Sequence, residues 1–174
     1  MNSRFSIFLI LILFITFLNS NFALSDTARK IEIKDIIVKN NQRIDAETIL
    51  SYLNLSSGDK VNYEILNKKL KEMYKLGLFA DIKFRVSNNN LIVLIKENPM
   101  INNVNLVGNK KIKEEAIRGE IKLKSRNVYQ KKELQDSVGF IRDLYKRSGY
   151  FSAKIKTNIS KLSQNRIDIT ININ

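Results

Sequence analysis

Val104-Asn105-Leu106-Val107-Gly108-Asn109-Lys110-Lys111-Ile112 reads as a β-branched strand, a Gly-Asn turn and the approach to a helix. The same order stands earlier in the chain, where Ile36-Ile37-Val38 leads through Asn40-Asn41-Gln42 to Ile44. Working outward from the second copy, Ile101 to Val107 is expected to be the strand. Ile112 to Leu123 is then a helix with Ile117 and Ile121 inward. Leu134, Val138, Ile141, Leu144 and Tyr145 form the apolar stripe of a longer helix that stops at Gly149. Ala153 to Ile159 and Arg166 to Ile173 close the copy as a hairpin, with Ile167, Ile169, Ile171 and Ile173 at a strict period of two.

The first copy has the same parts. Ile31 to Val38 is expected as one strand. Asp45 is placed to cap a helix that runs through Ile49, Leu50 and Leu53, with Ile44 stapled against Ile49. Gly58 breaks the chain and Asn62 is a second N-cap. Leu66, Leu70, Met73 and Tyr74 give one helix face that ends at Gly77. Ile82, Phe84 and Val86 alternate with Asp81, Lys83 and Arg85, and Ser87 to Asn90 turns the chain into Leu91 to Ile95. Asn41 matches Asn109, Ile44 matches Ile112, Ile49 matches Ile117, and Tyr74-Lys75 matches Tyr145-Lys146. Asn98-Pro99 marks the boundary, with a short hinge expected around Glu97 to Ile101. The expected fold class is α+β, two tandem β-α-α-β-β domains over 31–98 and 99–174. In each, a three-stranded sheet is covered on one face by two helices. Each unit is about 70 residues, a size at which a single core supplies only a few kcal/mol of net stability.

The 174 residues are 44% hydrophobic and 27% charged, a globular balance, and include no cysteine and no histidine. That removes disulfides, thiol nucleophiles, imidazole catalysis and zinc ligation by these residues, so no enzyme activity, catalytic residue, metal or cofactor is expected. The formal charge of +13 could serve an anionic partner. The lysines are scattered, however, and the groups Lys68-Lys69-Leu70-Lys71 and Lys110-Lys111-Ile112-Lys113 are short and broken by apolar residues. With no nucleic-acid motif beside them they read as solvated surface, and no nucleic acid is expected as partner. A basic nucleic-acid binder is the alternative, which a continuous basic face and steeply salt-dependent binding would identify. At the N-terminus, Arg4, the apolar run Ile7 to Leu18 and polar Asn19-Ser20-Asn21 have the order of a signal peptide over 1–25. The run is shorter than the roughly 20 residues that span hydrocarbon. Ala23-Leu24-Ser25 places cleavage between Ser25 and Asp26, with Ala23 or Ala28 as other sites, a linker over 26–30, and an uncleaved anchor as the other reading.

Three passages carry a resemblance to a known family: Leu76-Gly77-Leu78-Phe79-Ala80-Asp81-Ile82, the opening stretch from Val104 to Ile112, and Ser148-Gly149-Tyr150-Phe151-Ser152-Ala153. With Asn165-Arg166-Ile167-Asp168-Ile169 as a final strand, the chain from Ile31 to Asn174 resembles the POTRA domains of the outer-membrane protein assembly factors. The resemblance implies a chaperone-like docking region on the periplasmic side of the outer membrane. It would bind unfolded outer-membrane β-barrel proteins and partner lipoproteins of an assembly complex. Members of that family carry further POTRA domains and a membrane barrel. The chain is therefore expected to be a fragment or truncated product, with membrane association through a barrel it lacks. Two-partner secretion transporters, translocation and assembly factors and division proteins share such domains and remain alternatives.

A sheet covered on one face leaves unpaired N–H and C=O groups along an outer strand, which an extended peptide can pair with. If the first strand lies beside the last, the middle strand is the open edge. The candidate peptide-binding residues are then Asp81, Ile82, Lys83, Phe84, Arg85 and Val86 in the first unit. In the second they are Lys154, Ile155, Lys156, Thr157, Asn158 and Ile159, a strand with fewer charges that is preferred on that ground. Lys156→Pro is the substitution expected to block it. Lys83, Arg85, Lys154 and Lys156 are equally the charges that protect an ordinary edge from aggregation. Adjacent Glu114-Glu115 diverge around a helix and make no acid–base pair. Gly77 and Gly149 read as helix stops, and Tyr74 and Tyr145 as near-core residues with the hydroxyl at the rim.

Overall fold

The computed structural model describes residues 30–174; the expected export segment and its Ser25/Asp26 boundary lie outside the described residues. The first unit contains β1 (Ile31–Glu32), β2 (Asp35–Lys39), α1 (Ala46–Leu53), β3 (Lys60–Val61), α2 (Tyr63–Lys75), β4 (Phe79–Ser87) and β5 (Asn90–Glu97). The second contains β6 (Met100–Val107), α3 (Glu114–Glu120), α4 (Lys131–Arg147), β7 (Ile155–Leu162) and β8 (Arg166–Ile173). Two three-stranded sheets result, in the orders β2-β5-β4 and β6-β8-β7. In each, the first long strand runs parallel to the last, which closes an antiparallel hairpin with the middle one. The expected two-unit α+β fold is the one observed.

Each unit has its own core, built from one face of its central strand and the inner stripes of two helices. Leu91, Val93 and Ile95 of β5 pack with Ile49, Leu53 and Met73 of α1 and α2. Ile167, Ile169, Ile171 and Ile173 of β8 pack with Ile117, Leu134 and Ile141 of α3 and α4. The caps read from sequence hold. The Asp45 carboxylate accepts the Thr48 N–H at 2.8 Å, and the Asn62 side chain accepts the Ile65 N–H at 2.9 Å. The repeat is equally concrete, since the Asn41 and Asn109 amides each donate to the carbonyl three residues on, at Ile44 and Ile112.

Three details differ from the sequence expectation. The strand expected over Ile31 to Val38 is split, because buried Ile33 turns its backbone toward the loop before α2. Its N–H donates to the Asp59 carbonyl and its own carbonyl accepts the Gly58 N–H. That strap recurs in the second unit, where Ile101 bonds Asn127 and Arg126 in the same way. The helix expected from Ile112 to Leu123 occupies only Glu114–Glu120, with Ile121 already extended, although Ile121 and Leu123 remain buried. Tyr74 and Tyr145 are not equivalent. Met73 and Ile141 lie equally far after their N-caps and are both fully buried, so Tyr74 corresponds to Arg142 and Tyr145 lies a turn later.

The expected hinge is bonded from both sides. The Asn98 N–H donates to the Leu78 carbonyl, and its amide to that of Gly77 at 2.9 Å. The Met100 N–H donates to the Asn165 carbonyl, Tyr129 donates to the Pro99 carbonyl, and the Asn165 amide reaches the Glu97 carbonyl at 3.2 Å. Gln130 stands at the N-cap of α4 without capping it; a Cβ on Gly77 of the first unit would lie 2.6 Å from its side chain. Glu97 is buried where β5 ends, and one of its carboxylate oxygens accepts the N–H groups of Gln42, Arg43 and Ile44 at 2.7, 2.8 and 3.0 Å.

Candidate strand-binding edges

All six candidate residues of the first unit lie in β4. Ile155 to Ile159 lie in β7, with Lys154 just before it. Since β5 and β8 are the central strands, β4 and β7 are sheet edges. Which backbone groups point off the edge follows from ladder parity, because bonded and non-bonded pairs alternate in an antiparallel sheet. Lys154 and Asn174 exchange both backbone bonds, at 2.7 and 3.1 Å. With no register shift between β7 and β8, Lys156 and Asn158 also bond inward, and the N–H and C=O of Ile155, Thr157 and Ile159 point outward. Lys156→Pro would therefore break the sheet's own ladder. Thr157 is the position whose N–H an added strand would use.

β7 is open on more than its edge. Every residue from Lys156 to Leu162 is exposed, including Thr157 and Ile159, which pair with fully buried Ile171 and Ile169. Those two belong to the core side of the sheet but lie beyond its helical cover. Among the described residues, no side chain bonds the outward groups of Ile155, Thr157 or Ile159.

In β4 the two-residue turn Asn88-Asn89, both with positive φ, makes Ser87–Asn90 the bonded closing pair, so Ile82, Phe84 and Val86 turn outward. Ile82 is occupied, its N–H donating to the Tyr74 hydroxyl at 2.9 Å. That hydroxyl lies 3.1 Å from Asp81 Oδ1, to which it donates. Lys83, 3.2 Å from Asp81, foremost and Tyr74 after it hold the Asp81 carboxyl below its usual range.

The sequence reading missed two further things. Each sheet has a second edge, carried by β2 and β6, and that of β6 is partly closed: Arg118 donates to the Val104 carbonyl at 2.8 Å, Ser125 to that of Asn102, and Met100 bridges Val128. The second is the contact of Tyr74 with β4, at which only its spacing from Ile82 across Gly77 hints in the sequence. Among the described residues, no group of three or more His, Cys, Asp or Glu could hold a metal, and no helix is long and apolar enough to cross a membrane.

The architecture defines a tandem β-α-α-β-β module in which the middle strand of each unit is a sheet edge. A family model agrees: POTRA, described as a surface antigen variable number repeat, matches residues 31–98 and 99–174, and the chain belongs to this family. It is similar to the outer membrane protein assembly factor BamA of Neisseria meningitidis, 28% identical over 81% of this chain and 18% of that protein. It is 24% identical to BamA of Neorickettsia risticii over 82% of this chain and 19% of that one. The chain thus spans about a fifth of the length of these relatives. Among solved structures, the N-terminal domain of Omp85 from Thermosynechococcus elongatus shares the fold with a TM-score of 0.57 at 15% identity, over 82% of this chain and 63% of that one. POTRA1-2 of the periplasmic domain of Omp85 from Anabaena does so with a TM-score of 0.52 at 10% identity, over 82% and 95%.

Proposed function

We propose that this chain is a periplasmic, non-catalytic docking region of an outer-membrane protein assembly factor. It takes up extended segments of unfolded β-barrel proteins on β7 by strand addition, and partner lipoproteins of the assembly complex use its remaining surface. The similarity to BamA supports the setting. The observation that carries the site is the outward, unbonded row of N–H and C=O groups at Ile155, Thr157 and Ile159. Pairing through the main chain is nearly independent of sequence, which suits a receptor for many different clients. Each added bond is worth only about 0.5–1.5 kcal/mol net, so capture is weak, reversible and spread along the strand.

Thr157→Pro tests this directly, since it removes an outward donor from an edge where proline is tolerated. In an amide NMR titration with a peptide of alternating apolar and polar residues, the wild type should shift along β7, and the folded Thr157→Pro protein should not. Shifts confined to the helices, or undiminished affinity in the folded variant, would overturn the assignment.

A further inference from the structure

The two middle-strand edges are chemically unequal, and the difference lies in one hydroxyl. Tyr74 stands in the last turn of α2, 41% exposed as a residue, with its hydroxyl over β4. A phenol has one proton to give and lone pairs to accept with. Here the proton goes to Asp81 and a lone pair takes the Ile82 N–H, while the Ile82 carbonyl lies within 3.4 Å. Ile82 is the first of the outward residues of β4, and a strand added there would run about 4.8 Å from β4, in the space the phenol fills. The second unit has no counterpart. The residue corresponding to Tyr74 is Arg142, and Tyr145, one turn on, is 3% exposed and packed into the core.

We propose that Tyr74 is an intramolecular cap, a specificity-determining residue that closes the β4 edge at Ile82 and so directs incoming strands to β7. This rests on the strand-addition reading above and adds to it which edge is used and why. It also makes the edges of two units that share a fold unequal: at Ile82 a competing strand would have to displace a side chain, and along β7 it would meet none.

Tyr74→Phe keeps the ring and deletes the hydroxyl; Tyr74→Ala removes both. Amide hydrogen exchange of the free protein reads the cap without any ligand. In wild type the Ile82 amide should exchange more slowly than those of Phe84 and Val86, and in Tyr74→Phe it should join them. With the alternating peptide, wild type should respond mainly along β7. Tyr74→Phe should add a response at Ile82, Phe84 and Val86, with affinity at β4 raised roughly fivefold, the worth of about one hydrogen bond, and Tyr74→Ala should raise it further. An Ile82 amide that exchanges equally fast in wild type and Tyr74→Phe would overturn the cap. So would peptide binding at β4 that is the same in all three proteins while β7 still binds. Binding at neither edge in any of them would overturn the docking reading itself, which the ligand-free exchange measurement tells apart from failure of the cap.

Discussion

Asn40 and Gly108 occupy the same turn of the repeat and both have positive φ, yet only at Asn40 is there room for a side chain. At Gly108 a Cβ would run into the Ile173 carbonyl oxygen, which belongs to the central strand and cannot move aside. Gly108→Asn, which copies the first unit's solution, should therefore destabilise the second unit by more than the roughly 1–2 kcal/mol of a left-handed backbone alone, measured by denaturant unfolding. Glu97 is a second case. Burial acts to raise the pKa of its carboxyl, but the N–H groups of Ile44, Gln42 and Arg43 and the Arg43 charge outweigh it, and the net direction is down. A carboxyl lowered on folding contributes stability above its unfolded pKa, about 4.3, and loses it as pH falls through the lower folded value. Glu97→Gln should cost about 1–3 kcal/mol near neutral pH and flatten the acid limb of a stability-against-pH curve. An unchanged acid limb would show that Glu97 is not its source. The N-caps were legible because capping is local. The role of Glu97 was not, because its three donors lie more than fifty residues away.

Among the elements, the strands with the purest alternation were placed best: Arg166–Ile173 matches the reading residue for residue, since a period of two needs no tertiary information. Where the expectation failed, a distant partner decided. β1 separates from β2 because Ile31 and Glu32 pair with Val61 and Lys60. The edges were legible as strands, but which of their N–H groups face outward depends on ladder parity, which the amino-acid pattern does not contain. Two element-scale outcomes follow. Ile169→Ala, in the centre of β8 with no exposed surface, should cost about 2–5 kcal/mol and unfold most of the second unit, whose core supplies little more. Asn62→Ala should cost about 1 kcal/mol, and Gln130→Ala should not lower helix stability comparably, because Gln130 makes no cap bond. Comparable losses from both would mean that Gln130 caps after all.

For the whole molecule, the bonded segment from Glu97 to Met100 predicts that the units tumble together. Amide relaxation should give residues 31–97 and 100–174 one rotational correlation time, whereas two distinct times would show the tie to be loose. The parallel pairing of the outermost strands has its own consequence. Because β2 and β5, and again β6 and β8, run in the same direction, the chain enters each unit at one end of its sheet and leaves at the other. A closing strand of eight residues at 3.3 Å each gives a stride of about 26 Å. A unit of this kind cannot return the chain to its entry point, so each further copy starts about one stride from where the previous one started, like the next rung of a ladder. On the capping proposal, a single side chain such as Tyr74 tunes the edge of its own unit without altering that stride.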